Sequence, residues 1–237
     1  MTADDLDARI AGVSALADPV RRSLYQFVVR QPGAVSRDQA AAELDLPRHT
    51  AKFHLDRLVE EGLLVPEFRR LSGRRGPGAG RPAKLYRRSE RQLAVSLPER
   101  RYDVAGHLLA AAIERAADDG TPVRTAVGES AAEEGRRIAA SSSGPGPQLS
   151  GPLEEAAAVL AEHGYEPRVD GDVAVLANCP FSDLAREHTA LVCGMNHDLI
   201  GAFLAERGYS SIEARLDPAD GRCCVTLISR QVPQKVR

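Results

Sequence analysis

The sequence predicts an α+β chain built in sections: helices closed by a strand pair in the first third, a helical middle, and a small C-terminal α+β part with antiparallel strands. Three observations lead to this. Apolar residues at helical spacing, interrupted by capping and turn signals, run from residue 9 to residue 61. Two strand-like segments then flank LSGRRGPGAGRP at 71–82. In the last third, short alternating stretches and Gly-containing turns are interleaved with helical patterns.

Taken in order, Ile10, Val13, Leu16 and Ala17 share one face of a helix over 9–17. Asp18 caps a second helix with Pro19 at its first position, where a missing N–H costs nothing. Its stripe is Val20, Leu24, Phe27 and Val28, and Gln31-Pro32-Gly33 stops it. Val35 forms a short extended piece. Ser36 caps a helix over 37–44, and another spans 47–61 with Ala51, Leu55 and Leu58 on one face, ended by Gly62. Residues 63–70 and 84–88 read as strands. Helices are expected over 99–117 and 122–140, followed by a flexible linker, SSSGPGPQLSGP, at 141–152. Next come a helix over 153–164, a hairpin of 166–169 and 173–177 turning at Asp170-Gly171, and helices over 181–188 and 192–207. A last strand pair, 212–216 and 223–229, closes the chain. The expected domains are 1–95, 96–150 and 151–237.

The chain has 237 residues, 43% hydrophobic and 27% charged, enough apolar content for a sizeable core. Aromatics are 4% with no Trp, which argues against the stacking platforms of single-stranded RNA binders. The longest nearly apolar run, 104–113, is too short to span a bilayer. The start MTADDLDARI lacks the basic and apolar regions of a secretory signal, so a cytoplasmic, reducing location is expected, with no membrane partner and no structural disulfides. The net charge of −2 hides an asymmetry: residues 1–100 are net +5 and residues 101–237 net −7. Nine Lys/Arg against two Glu fall within 66–91. Charge divided in this way suggests one half that meets a polyanion.

Two short helices joined by a tight turn, the second with a basic and polar outer face, are the physical content of a helix-turn-helix. The outer face of the second holds Arg48, His49, Lys52, Phe53 and Asp56. Arg48, His49 and Thr50 lie in its first turn, where base edges are reached, and Lys52 and Arg57 serve bases or phosphates. A solvated face is the competing explanation for Lys52 or Arg57 taken alone. The following hairpin, with Arg74, Arg75 and Arg81 in its loop and Arg69, Arg70, Lys84, Arg87 and Arg88 on its strands, reads as a wing against the phosphate backbone or a narrow minor groove. ALADPVRRSLYQFV, SRDQAAAELDLPRHTAKFHLDRLVEEGLL and GRPAKLYRRS together resemble ArsR-type winged-helix regulators over residues 8–90. The resemblance implies a winged helix-turn-helix fold and a homodimer reading an inverted repeat in double-stranded DNA. The Cys-x-Cys metal site familiar in that family is missing from this helix-turn-helix. The broad apolar face of 99–117, with Val104, Leu108 and Ala112 beside Leu109, Ile113 and Ala116, is expected to form the dimer contact, with the helix over 9–17 contributing in part.

Cys179, Cys193, Cys223 and Cys224 all lie in the last 60 residues. Each alone reads as a small buried hydrophobe. Together, placed at the ends of separate elements, they are candidate metal ligands. The spacing has no Cys-x-x-Cys pair, so an ordinary zinc finger is disfavoured; an iron–sulfur cluster or a distorted zinc site remains. Adjacent residues on a regular strand point to opposite faces, so one of Cys223 and Cys224 is expected to ligate and the other to be core. NCPFSDLAREHTALVC and GRCCVTL resemble the C-terminal sensor of the suf-operon repressor family and its actinobacterial relatives, over about residues 150–229. That resemblance implies an iron–sulfur cluster, with the 4Fe–4S form in view, held by Cys179, Cys193 and either Cys223 or Cys224. It leaves the fourth position to another group. His188 and His197 are read as surface residues, and Asp183 and Glu187 as helix-surface charges. The expected function is a DNA-binding regulator, a repressor, whose C-terminal half senses through these cysteines. The alternatives are a zinc or small-ligand sensor and an enzyme with a cysteine nucleophile. No paired catalytic carboxylates or Ser-His-Asp spacing supports an enzyme, and GPGAG lies in a hairpin rather than between a strand and a helix.

Overall fold

A computed structural model describes residues 3–70, 82–142 and 151–230. The chain divides between Val95 and Ser96 into two compact units.

The first unit runs α1 (Ala3–Ala15), α2 (Pro19–Arg30), β1 (Val35–Ser36), α3 (Arg37–Glu43), α4 (Arg48–Glu60), β2 (Leu64–Arg69) and β3 (Ala83–Arg88). Local chemistry explains the breaks. Asp18 accepts the Arg21 N–H at 2.9 Å with Pro19 at the first helical position. Ser36 and Gln39 close a reciprocal capping box on α3, at 3.2 and 2.9 Å. Between α3 and α4 the turn passes through Asp45 at φ 49°, a left-handed conformation that Asp tolerates, and Leu46 N–H returns to the Ala41 carbonyl at 2.9 Å. The three strands form an antiparallel sheet in the order β1-β3-β2, with Val65 opposite Arg87 and Glu67 opposite Leu85. Leu24, Val28, Ala40, Ala51, Leu55, Leu58, Leu64 and Tyr86 make the core.

The second unit runs α5 (Tyr102–Asp119), α6 (Val123–Ser141), α7 (Pro152–Ala161), β4 (Pro167–Asp170), β5 (Val173–Leu176), α8 (Ser182–Glu187), α9 (Thr189–Glu206), β6 (Ile212–Leu216) and β7 (Val225–Ser229). Its sheet is antiparallel, ordered β4-β5-β7-β6. At the centre lies α9, which buries Val192, Met195, Leu199, Ile200, Phe203 and Leu204 on several sides. A helix apolar all round has to be enclosed, and α6, α8 and the sheet enclose it.

Residues 96–150, expected as a helical dimerisation region and flexible linker, fall in the same compact unit as the C-terminal elements. Buried residues of α5 and α6 share one core with α9 and the sheet: Ala105, Leu108 and Ala112 from α5, Ala126, Ala131 and Ile138 from α6. Part of the 99–117 face expected to meet a second chain is thus covered within the unit, and Ile113 on it is 62% exposed. Most of the linker at 141–152 lies outside the described residues, although α6 extends through Ser141 and α7 begins at Pro152. The helix expected from residue 192 starts earlier, at Thr189, so Cys193 occupies its second turn.

Small residues let α6 approach α9. A Cβ at Gly135 would collide with the Leu199 carbonyl oxygen and stand 2.9 Å from the Phe203 nitrogen. Alanine is the better helix former by about 1 kcal/mol. Overpacking against backbone costs about 3 kcal/mol and outweighs that gain. Gly135→Ala is therefore expected to destabilise the protein by about 2 kcal/mol, read as a lower midpoint in urea unfolding.

Candidate nucleic-acid interface and cysteine cavity

On α4 the core-facing residues are Ala51, Leu55 and Leu58, and the opposite side is exposed. His49, Lys52 and Phe53 are exposed there, and Thr50 is half-buried. Arg48, the first residue of the helix, is exposed and lies 3.4 Å from Asp38 on α3, a surface ion pair worth little. Arg57 pairs within the helix with Glu60 at 3.2 Å and with Glu61, so its charge is offset locally. Arg69, Arg70, Arg87 and Arg88 are exposed on the strand pair. Arg74, Arg75 and Arg81 lie outside the described residues.

Asp56 organises this surface. Its carboxylate accepts from Lys52 at 2.8 Å, from Lys84 of β3 at 2.6 Å and from the Tyr86 hydroxyl of β3 at 2.8 Å. One side chain thereby ties the recognition helix to the strand that leads out of the wing. Partial burial alone would raise the Asp56 pKa, but the hydrogen bonds from Lys52, Lys84 and Tyr86 win and lower it to about 2. Burial, then the hydrogen bond to Asp56, pushes the Tyr86 phenol up. Lys52 and Lys84, both expected to contact DNA, thus present charge that Asp56 shares. Nothing in the sequence links residue 56 to residues 84 and 86; only the fold brings them together.

In the second unit the four cysteines come from three places: Cys179 from the loop after β5, Cys193 from α9, and Cys223 and Cys224 from the segment entering β7. Cys179, Cys193 and Cys224 line one cavity of about 550 Å³. Arg100, Arg186 and Arg222 also line it, against one carboxylate, Asp220. Cys223 is fully buried behind it, where its sulfur accepts from Asn196 Nδ2 at 3.1 Å. Asn196 Oδ1 in turn accepts from the Tyr165 hydroxyl at 2.6 Å. The four thiols lie near enough to one another to influence each other's titration.

The hydrogen bond to Cys223, followed by burial, raises the Cys179 thiol. Burial raises Cys193. The Cys179 contact pulls Cys223 down, but Cys224 and burial outweigh it and leave Cys223 pushed up to about 12. A catalytic thiol needs the opposite shift. Among the described residues no group of three or more His, Cys, Asp or Glu side chains is disposed to hold a metal ion. Three thiols fronting one cavity do fit a larger group bound by several thiolates. His188 is exposed at the start of α9, His197 pairs with Asp198 at 3.1 Å, and Asp183 is engaged by Arg186 and by the Tyr102 hydroxyl. Glu187 is exposed. None of these four lines the cavity.

A family model described as a helix-turn-helix domain matches residues 16–67, which span α2 to β2. The protein is a DNA-binding transcription regulator. No curated protein and no solved structure matches the chain. No helix among the described residues is long and apolar enough to cross a membrane.

Asp56→Asn is expected to destabilise the first unit by about 1–2 kcal/mol at pH 7 by weakening charge-assisted hydrogen bonds. Because the folded-state pKa is depressed, the stabilisation is present above pH 4 and is lost as pH falls from about 4 to 2. Urea unfolding of both proteins at pH 7 and at pH 3 checks this: the difference between them should shrink at the lower pH.

Proposed function

We propose that the protein is a homodimeric repressor that reads an inverted repeat and adjusts its affinity through a thiolate-bound group at the cysteine cavity. The group is taken to be an iron–sulfur cluster, as in the suf-operon repressor family that the C-terminal sequence resembles. The observation carrying this reading is that Cys179, Cys193 and Cys224, from three separate elements, front a single cavity. The three arginines on its walls suit a group whose thiolates bring negative charge. When bound, such a cluster supplies redox- and iron-dependent occupancy. Cys179, Cys193 and Cys224 would hold it, and Cys223 would support them from behind.

Occupancy can reach the DNA-binding unit only if the holo and apo forms differ in their affinity for the operator. The ligands join the loop after β5, α9 and the entry to β7, so binding would couple these elements and stabilise the second unit. Two copies would present two α4 helices to half-sites about one helical turn apart.

The experiment is iron and acid-labile sulfide analysis of anaerobically purified protein, with its visible spectrum and sedimentation mass. A brown dimer with stoichiometric iron and sulfide is expected. Cys179→Ser, Cys193→Ser and Cys224→Ser should each lose the absorbance and the holo-dependent change in operator affinity, whereas Cys223→Ser should keep iron. A colourless zinc protein would favour a zinc sensor. Full metal content in all four variants would make the cysteines core residues, and a single 25.4 kDa species at micromolar concentration would exclude the dimer.

A further inference from the structure

Phe53 is 65% exposed, although it lies in the well-packed first unit. It stands one turn after His49, on the side of α4 opposite Ala51, Leu55 and Leu58. Its ring meets the His54 ring edge-on, with centroids 5.2 Å apart, and leaves its outer part in solvent. Around it is a shallow concavity of about 720 Å³, lined by Arg21, His49, Lys52, Phe53, Asp56, Arg57 and Glu60. The cations in that lining are engaged: Lys52 with Asp56, Arg57 with Glu60 and Glu61, and Arg21, from α2, with the Ala15 carbonyl at 2.9 Å. The middle of the recognition helix therefore presents an aromatic ring beside an imidazole, not a row of unpaired charges.

An exposed phenylalanine ring has no hydrogen bond to offer a base edge. In the major groove of B-DNA the apolar feature of a base edge is the C5 methyl of thymine, and phenylalanine is among the side chains that contact it. We infer that Phe53 is a specificity-determining residue that takes a thymine C5 methyl in each half-site of the operator. This rests on the DNA-binding role of the helix-turn-helix and is continuous with that surface. Phe53 would prefer thymine to cytosine at one position, and His49, one turn earlier, would meet the adjoining base pair.

The test changes that methyl group alone. Duplexes that bind the full-length protein are first selected from a random pool. Each thymine of a selected half-site is then replaced, one at a time, by deoxyuridine, which keeps every hydrogen bond and removes only the methyl. At one thymine per half-site the wild-type protein should bind about fourfold more weakly, the factor for one methyl group removed from water, and on the order of fifteenfold more weakly when both half-sites are changed. Phe53→Ala should bind the selected duplex more weakly and be indifferent to that methyl. Phe53→Leu, which keeps an apolar side chain, should retain part of the sensitivity. Both variants should keep the wild-type unfolding midpoint and sedimentation mass, since the ring is exposed.

Wild-type indifference to every thymine methyl would overturn the inference while leaving DNA binding intact. So would an equal loss for Phe53→Ala and wild type at the sensitive thymine. A changed mass for Phe53→Ala would assign the ring to a protein interface and overturn it too. Failure of the wild-type protein to select any duplex would overturn both this inference and the regulator reading on which it rests.

Discussion

The close approach of α6 to α9 is the constraint on which the second unit depends. α9 is apolar on nearly every side, so it is stable only when enclosed, and α6 closes over it where Gly135 leaves room for the Leu199 carbonyl and Phe203. Once α9 is held there, two of its residues acquire their roles. Cys193 faces the cavity, and Asn196, one turn later, turns its amide to the sulfur of Cys223. The buried Tyr165–Asn196–Cys223 chain satisfies polar atoms that would otherwise be costly to bury. The place of Cys193 thus follows from the packing of α6 on α9.

In the first unit Asp56 has the corresponding place. A helix-turn-helix presents its second helix by packing, but the angle between that helix and the wing needs a further tie. Asp56 supplies it by engaging Lys84 and Tyr86 across the unit, with Lys52 from its own helix. The same contacts engage two lysines that the sequence alone assigns to DNA contact. Exposed beside them on α4 are Arg48, His49 and Phe53.

Much of this was legible before any coordinates. The caps at Asp18 and Ser36, the Gln31-Pro32-Gly33 stop and the period of Ala51, Leu55 and Leu58 are local signals, and local signals place helices within a residue or two. The Asp170-Gly171 turn marked its hairpin for the same reason. The helix-turn-helix, and with it the DNA-binding role, follows from such a series. Illegible were the features that join distant residues: Asp56 to Lys84 and Tyr86, Asn196 to Cys223, and α6 to α9.

The sequence by itself determined which segments are helix and which are strand, which helix carries the outward basic and aromatic residues, and that the cysteines cluster late in the chain. These depend on neighbours within a few positions, where capping, periodicity and composition act. Only the tertiary structure decided that residues 96–142 share a core with the C-terminal elements, that Cys224 meets the cavity while Cys223 lies behind it, and that Asp56 restrains the lysines beside it. Those outcomes depend on which surfaces meet when separate elements pack, and side-chain periodicity along one element does not specify its partner.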